Sequence, residues 1–280
     1  MKRLNRSDAH EGLTNLLLRT LVSLQSIYIK QYFYMKKLLL MAAILISGLS
    51  AEAQLKAVRY TDGTQALKGE ITANAGKKLP GVLILPAWKG IDEEARTAAL
   101  ELQKQGYIAF IADIYGEGNI PADNTAASAI AGKYKQDYAA YQHRISLALD
   151  QLKKEGALPE KIAVIGFCFG GSGSLEVARA GFPVVGVVSI HGGLAKAADR
   201  PNGTINTKIL VEHPAEDKSV QPQDLANLIT EMNEGHADWQ LITYAHSKHT
   251  FTDPKSPDYN ATMARRAWQH TLLFLKEILQ

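Results

Sequence analysis

The residues best placed to do chemistry surround the only cysteine of the chain, Cys168. The apolar run 164–167 precedes it, and the run 166–171 has the form G-x-C-x-G-G. This spacing predicts a strand that turns sharply into a helix, because glycine leaves room for a tight turn. A helix N-terminus favours a thiolate and offers backbone N–H groups to a developing oxyanion. The pattern therefore predicts a nucleophilic thiol, the alternative being a small buried apolar residue.

A thiol nucleophile needs a base, and the base needs an acid that orients it. Two candidates follow Cys168, and each lies just after an apolar run that predicts a strand: Asp217 and, further on, His249. Nucleophile, acid and histidine then occur in the order that α/β-hydrolases use. Glu216 remains an alternative acid and His246 an alternative base.

Apolar runs alternate with helical patterns along the rest of the chain. This alternation predicts an α/β fold with a doubly wound, mostly parallel sheet and helices on both faces. The predicted strands cover residues 57–60, 65–72, 81–85, 107–112, 161–167, 184–190, 208–212 and 239–244. The predicted helices cover residues 92–105, 136–154, 172–180, 222–234 and 259–279. The Ala-rich stretch from Gly116 to Gly132 predicts a loop or lid.

The front of the chain has the pattern of a targeting segment. A short basic start at residues 35–37 precedes an apolar run over residues 38–49 and an Ala-x-Ala motif at residues 51–53. These are the three parts of a cleavable signal peptide, and the apolar run is too short to span a bilayer. We therefore expect a signal peptide over residues 35–53.

This interpretation makes Met35 the initiator and residues 1–34 a mis-annotated extension, the alternatives being a long basic region or a signal anchor. The mature chain, residues 54–280, would be a single α/β-hydrolase domain. It would be exported to the periplasm or the medium, with no stable membrane anchoring after cleavage.

Charge and composition exclude some partners. The 280 residues include 31 Lys and Arg and 28 Asp and Glu, for a net charge of +3. Seven of these bases and three of these acids lie in residues 1–53, so the remaining chain is nearly neutral. No basic patch indicates a nucleic-acid partner. With one thiol and no close histidine spacing, we expect no metal site and no cofactor.

From Gly81 onward the chain resembles the dienelactone hydrolase family. The resemblance rests on the elbow at residues 166–171, on Asp217 with a valine three positions later, on the His-Thr-Phe run that starts at His249, and on the run 113–116. It implies an α/β-hydrolase fold and the hydrolysis of small carboxylic esters or lactones.

The resemblance also implies the roles of individual residues. Cys168 would attack the carbonyl and form a thioacyl-enzyme, His249 would transfer protons, and Asp217 would hold the imidazole. The backbone N–H groups of Phe169 and Trp88 would form the oxyanion hole.

Two positions depart from the family pattern. Ala87 stands where type members carry a glutamate, so activation of the thiol would depend on His249, on the helix N-terminus or on another acid such as Glu93. Asp253 stands where they carry a carboxylate-binding arginine, so we expect neutral or cationic substrates. Ala87, Tyr115, His191 and Asp253 are predicted to line the substrate pocket. The missing glutamate keeps a non-hydrolytic thiol sensor or binding protein open as an alternative, and an acyltransferase could use the same triad.

Overall fold

The computed structural model describes residues 28–37 and 55–280. The chain divides into two compact units, Met1–Glu52 and Ala53–Gln280. In the first unit, residues 28–37 form an exposed helix, α1. The predicted extension and signal peptide otherwise lie outside the described residues. Among the helices that the structure describes, none combines the length and the hydropathy that crossing a membrane requires.

The second unit is built around one eight-stranded sheet. Its strands are β1 (Leu55–Asp62), β2 (Gln65–Thr72), β3 (Leu79–Leu85), β4 (Ile108–Ile111), β5 (Ala157–Phe167), β6 (Gly186–Ile190), β7 (Lys208–Pro214) and β8 (Trp239–Tyr244). They lie in the order β1-β2-β4-β3-β5-β6-β7-β8. The strands from β4 to β8 in that order pair in parallel, whereas β1 with β2 and β2 with β4 are antiparallel. The predicted mostly parallel α/β sheet is confirmed.

Helices cover both faces of this sheet. They are α2 (Glu93–Lys104), α3 (Asn124–Gln136), α4 (Tyr138–Lys154), α5 (Phe169–Arg179), α6 (Pro222–Glu234) and α7 (Ala261–Leu279). Helices α3 to α6 pack in one apolar core, while α2 and α7 pack in a second core on the other face. The central strands are buried on both sides, which explains their continuous apolar sequences.

The structure corrects the prediction of a loop from Gly116 to Gly132. Its second half belongs to helix α3, whose first turn is capped by the Asp123 side chain, which accepts a hydrogen bond from the Ala126 N–H at 2.8 Å. Alanine has the highest helix propensity, and small alanines let the helix lie close to the core. The Ala-rich composition therefore favours a helix although its amphipathic pattern is weak.

Candidate active site

The turn between β5 and α5 places Cys168 at the carboxyl edge of the sheet. Its backbone has φ +52° and ψ −110°, a strained conformation that costs about 1–3 kcal/mol. A Cβ on Gly166 would lie 2.0 Å from the Gly170 carbonyl oxygen, and a Cβ on Gly170 would lie 2.0 Å from that of Leu85. The two glycines are therefore required by close backbone approaches, and the sharp turn expected from the sequence is present.

Loops from three strand ends bring Cys168, His249 and Asp217 together. His249 Nε2 lies 3.0 Å from Cys168 Sγ, and His249 Nδ1 lies 2.8 Å from Asp217 Oδ2. The Asp217 side chain is fully buried, and that of His249 is 28% exposed. Because Asp217 is ionised, Nδ1 donates its hydrogen to the carboxylate, which leaves Nε2 facing the thiol. This alignment can pass a proton between the sulfur and the imidazole.

Ser219 belongs to the same cluster, and sequence reasoning missed it. Its hydroxyl donates to Asp217 Oδ1 at 2.6 Å and lies 3.0 Å from His249 Nδ1. Its backbone N–H also donates to Asp217 Oδ1, at 2.9 Å. A serine two positions after an aspartate in a loop is the available sequence signal, because such pairs form local side-chain turns. Ser219 therefore holds the carboxylate in the orientation that His249 requires.

The cluster shifts the pKa values of both its acid and its base. Burial alone would lower the pKa of His249, but hydrogen bonds to Asp217 and Cys168 outweigh it and raise this pKa to about 10. Burial would raise the pKa of Asp217, but its bonds to His249 and Ser219 lower that pKa to about 2. At neutral pH the structure therefore favours an imidazolium beside an ionised carboxylate.

The two alternatives considered from the sequence, Glu216 and His246, lie on the surface. Their side chains are 51% and 88% exposed, and Oε1 of Glu216 is 3.5 Å from Nδ1 of His246. The structure thus pairs them with each other and brings neither to the thiol.

The residues predicted for the oxyanion hole follow two neighbouring strands of the sheet, β3 and β5. Phe169 opens α5, where the first N–H groups of a helix lack intrahelical acceptors. Trp88 follows β3, and its carbonyl accepts a hydrogen bond from the Tyr115 hydroxyl at 2.9 Å. The ring of Tyr141 stacks on that of Phe169 at 4.5 Å, and its hydroxyl donates to the Phe169 carbonyl. Both peptide segments are thus held rigidly, and their role as donors remains a prediction.

The four predicted pocket residues differ in how far they are exposed to solvent. Ala87 and Asp253 are half-buried, and the Asp253 carboxylate accepts the Lys255 N–H at 2.8 Å. Tyr115 and His191, in contrast, are only 2% and 1% exposed. Such burial argues that these two rings support the site from behind rather than contact a substrate.

The acid that approaches the site from α2 is Glu94 rather than Glu93. Glu93 is exposed, whereas the Glu94 side chain is 9% exposed and accepts a hydrogen bond from Thr252. Neither Glu94 nor Thr252 stands out in the sequence, because their contact joins residues that are distant in the chain.

Comparison with known proteins decides the family. The model of the dienelactone hydrolase family matches residues 67–279. The chain belongs to the dienelactone hydrolase family. The expectation of a hydrolase acting on ester bonds is thereby confirmed at the level of this family.

Several relatives of this family member are named enzymes. A probable 2-oxo-3-(5-oxofuran-2-ylidene)propanoate lactonase of Bradyrhizobium sp is 24% identical over 71% of this chain and 84% of its own. A putative carboxymethylenebutenolidase of Escherichia coli K12 is 25% identical over 71% and 77%. Among solved structures, the dienelactone hydrolase-like promiscuous phosphotriesterase P91 from metagenomic libraries is 32% identical. The match covers 81% of this chain and 99% of P91, with a TM-score of 0.76.

Proposed function

We propose that this family member hydrolyses small carboxylic esters or lactones through a Cys168-His249-Asp217 triad. The observation that carries the proposal is the alignment of the thiol, the imidazole and the carboxylate at 3.0 Å and 2.8 Å, with the thiol at a strained turn before a helix N-terminus. Cys–His pairs oriented by a third group are a recurrent means of nucleophilic catalysis.

In the acylation step, Cys168 gives its thiol proton to His249 Nε2, and its sulfur attacks the substrate carbonyl carbon to form a C–S bond. The carbonyl oxygen becomes an oxyanion, for which the N–H groups of Phe169 and Trp88 are the proposed donors. When the tetrahedral intermediate collapses, the C–O bond breaks and the leaving alkoxide takes the proton from His249 Nε2. The products are a thioacyl-enzyme, a neutral imidazole and an alcohol; from a lactone, the alcohol stays attached to the acyl group.

In the deacylation step, water attacks the thioester carbonyl and gives its proton to His249. The thioacyl sulfur no longer carries the charge that raises the pKa of His249, so the imidazole can now act as a base. Collapse breaks the C–S bond, releases the carboxylic acid and returns Cys168 and His249 to their starting state. Asp217 stays ionised throughout and keeps the imidazole oriented.

The nearest support for a substrate site is a cavity that reaches Ser219, the serine that contacts Asp217 and His249, although the three triad side chains do not line it. A cavity of about 480 Å³ borders Ser219 and Ser172, the latter in the first turn of α5. Ligand pockets for small molecules typically have volumes of about 300–1,000 Å³. At the His249 loop, Asp253 lies close enough to Asp92 to contribute, after burial and Glu94, to raising the pKa of Asp92 to about 6. The acids of this loop favour neutral or cationic groups of a substrate close to Asp253, whereas the cavity itself is also lined by Arg179, Lys196 and Arg200.

The proposal is tested by hydrolysis assays on residues 54–280 with a panel of p-nitrophenyl esters and lactones. The panel includes dienelactone and, because of the name given to P91, a phosphotriester. We expect ester or lactone turnover that Cys168→Ala removes while the fold, followed by circular dichroism, survives. Turnover that persists in Cys168→Ala would refute the role of the thiol.

The same assay separates the alternatives. Rapid alkylation of Cys168 without any turnover would favour a thiol sensor or binding protein. An acyl-enzyme that reacts faster with an added alcohol or amine than with water would favour an acyltransferase.

We also propose that residues 35–53 direct export and are removed. Their basic, apolar and Ala-x-Ala parts support this. N-terminal sequencing of protein expressed in a bacterium from Met35 should find Gln54 first. An uncleaved N-terminus on cytoplasmic protein would contradict the proposal.

A further inference from the structure

A partly buried series of hydrogen bonds runs from the nucleophile turn to helix α2. The Cys168 N–H donates to His191 Nδ1 at 3.1 Å, besides the Ile190 carbonyl at 3.0 Å. His191 Nε2 lies 2.7 Å from Thr252 Oγ1, and that hydroxyl donates to Glu94 Oε1 at 2.5 Å. The triad chemistry uses none of the side chains of His191, Thr252 and Glu94.

The chemistry of the groups fixes which of them donates in each of these hydrogen bonds. A backbone N–H can only donate, so His191 Nδ1 must be an unprotonated acceptor. The hydrogen of the His191 ring is then on Nε2, which donates to the Thr252 hydroxyl. That hydroxyl passes its own hydrogen to Glu94, a carboxylate acceptor. Each hydrogen in this series of hydrogen bonds therefore has a single donor and a single acceptor. A network that is fully satisfied in this way holds its side chains rigidly.

The series ties together the elements that the proposed triad depends on. His191 follows β6, Thr252 lies three residues after His249, and Glu94 lies in the first turn of α2. The His191 ring also contacts the His249 ring edge-on, with centroids 5.4 Å apart. His191 itself has φ +39°, and Cys168 has φ +52°. Such strained conformations persist only where the surroundings hold them.

We propose that His191, Thr252 and Glu94 are positioning residues. They hold the Cys168 backbone and the His249 loop in the relative position that acyl transfer requires. This inference rests on the proposed function. It assigns Glu94 an indirect role, since its carboxylate acts through Thr252 and His191 rather than on the thiol.

The test uses Thr252→Val, which keeps the side-chain shape but can neither accept from His191 nor donate to Glu94. We expect kcat for the best ester of the panel to fall by about 10- to 100-fold, because small displacements of reacting groups cost this much. The KM should stay within about twofold, because no substrate contact is removed. Thr252→Ser restores both hydrogen bonds and should recover most of kcat.

The matched control is Thr271→Val. Thr271 is fully buried and its hydroxyl donates to Glu212 at 3.1 Å, in α7 and outside the site. This variant should lose stability while keeping kcat, when both proteins are assayed below their unfolding temperatures.

A second measurement is ¹⁵N NMR of the imidazoles, which should show hydrogen on Nε2 of His191 in the wild type.

A Thr252→Val enzyme with unchanged kcat, or a His191 with hydrogen on Nδ1, would overturn the inference. Equal loss of kcat in Thr252→Val and Thr271→Val would also overturn it, since any Thr→Val change that removes a hydrogen bond to a carboxylate would then have the same effect. If Cys168→Ala keeps its turnover, the proposed function fails instead, so the two failures are distinguishable.

Discussion

The two nitrogens of the His249 imidazole face a carboxylate and a thiol. The effects of these two groups on the pKa of His249 can be separated by mutation. Asp217→Asn removes the charge and weakens the hydrogen bond that raises the pKa of His249 to about 10. The pKa of His249 should therefore fall by about one to three units. In the proposed mechanism the imidazolium protonates the leaving group, so kcat/KM for an alkyl ester should decline at a correspondingly lower pH than in the wild type.

The measurement is the pH profile of kcat/KM for an ethyl ester, whose poor leaving group requires the acid. Glu216→Asn is the control, because it removes an exposed acid one residue away. An alkaline limb at the same pH in Asp217→Asn and the wild type would show that Asp217 does not set the pKa of His249.

At the scale of single elements, the turn between β5 and α5 leaves no space for a side chain. A Cβ at Gly170 would meet backbone atoms of the end of β3, the nearest at 2.0 Å. Backbone cannot give way as a flexible side chain can, so Gly170→Ala must separate β3 from α5. We expect loss of turnover together with a clear fall in the unfolding temperature, measured by circular dichroism. Gly132→Ala is the control, because a Cβ there has nothing within 4 Å. Unchanged kcat in Gly170→Ala would contradict the close approach.

A second element-scale prediction concerns Glu212, which is fully buried on β7. Burial raises its pKa well above the usual value, although a hydrogen bond from Thr271 opposes this. A raised folded-state pKa adds stability that is present below the unfolded pKa and lost as pH rises through the folded pKa. Glu212→Gln should therefore match the wild type near pH 4 and exceed it near pH 8, by about 3 °C per kcal/mol recovered.

Thermal unfolding across this pH range checks the prediction. The control is Glu216→Gln, at an exposed position. Its unfolding temperature should differ from that of the wild type by the same amount at every pH. A Glu212→Gln protein that is less stable than the wild type at pH 8 would show that the buried carboxyl group does not destabilise the folded protein at that pH.

Elements with a strong pattern were predictable, and those with a weak one were not. Strands β3 and β4 and the second half of β5 are continuous apolar runs, so their positions could be predicted from the sequence. Helix α3 was missed because its buried side is mostly alanine, which carries little amphipathic signal. Its cap at Asp123 was the available clue.

At the scale of the whole molecule, the sheet explains why the alignment of Cys168, His249 and Asp217 could be predicted from the sequence and the contacts of Thr252 could not. Parallel strands bring their carboxyl ends to one edge, so the residues after β5, β7 and β8 must converge there. The contact of Glu94 with Thr252 spans 158 positions in sequence, and that of His191 with Thr252 spans 61. No local pattern records such contacts, because they depend on how the loops pack after the sheet has formed.

The most direct test of the central claim is to trap the acyl-enzyme on Cys168. Residues 54–280 are mixed with p-nitrophenyl acetate, quenched in acid within one turnover, digested and analysed by mass spectrometry. We predict an acetyl group on the peptide that contains Cys168, a burst of one p-nitrophenol per enzyme, and neither in Cys168→Ala. Burst and turnover in Cys168→Ala, or acetyl on another residue that turns over at the steady-state rate, would contradict the account.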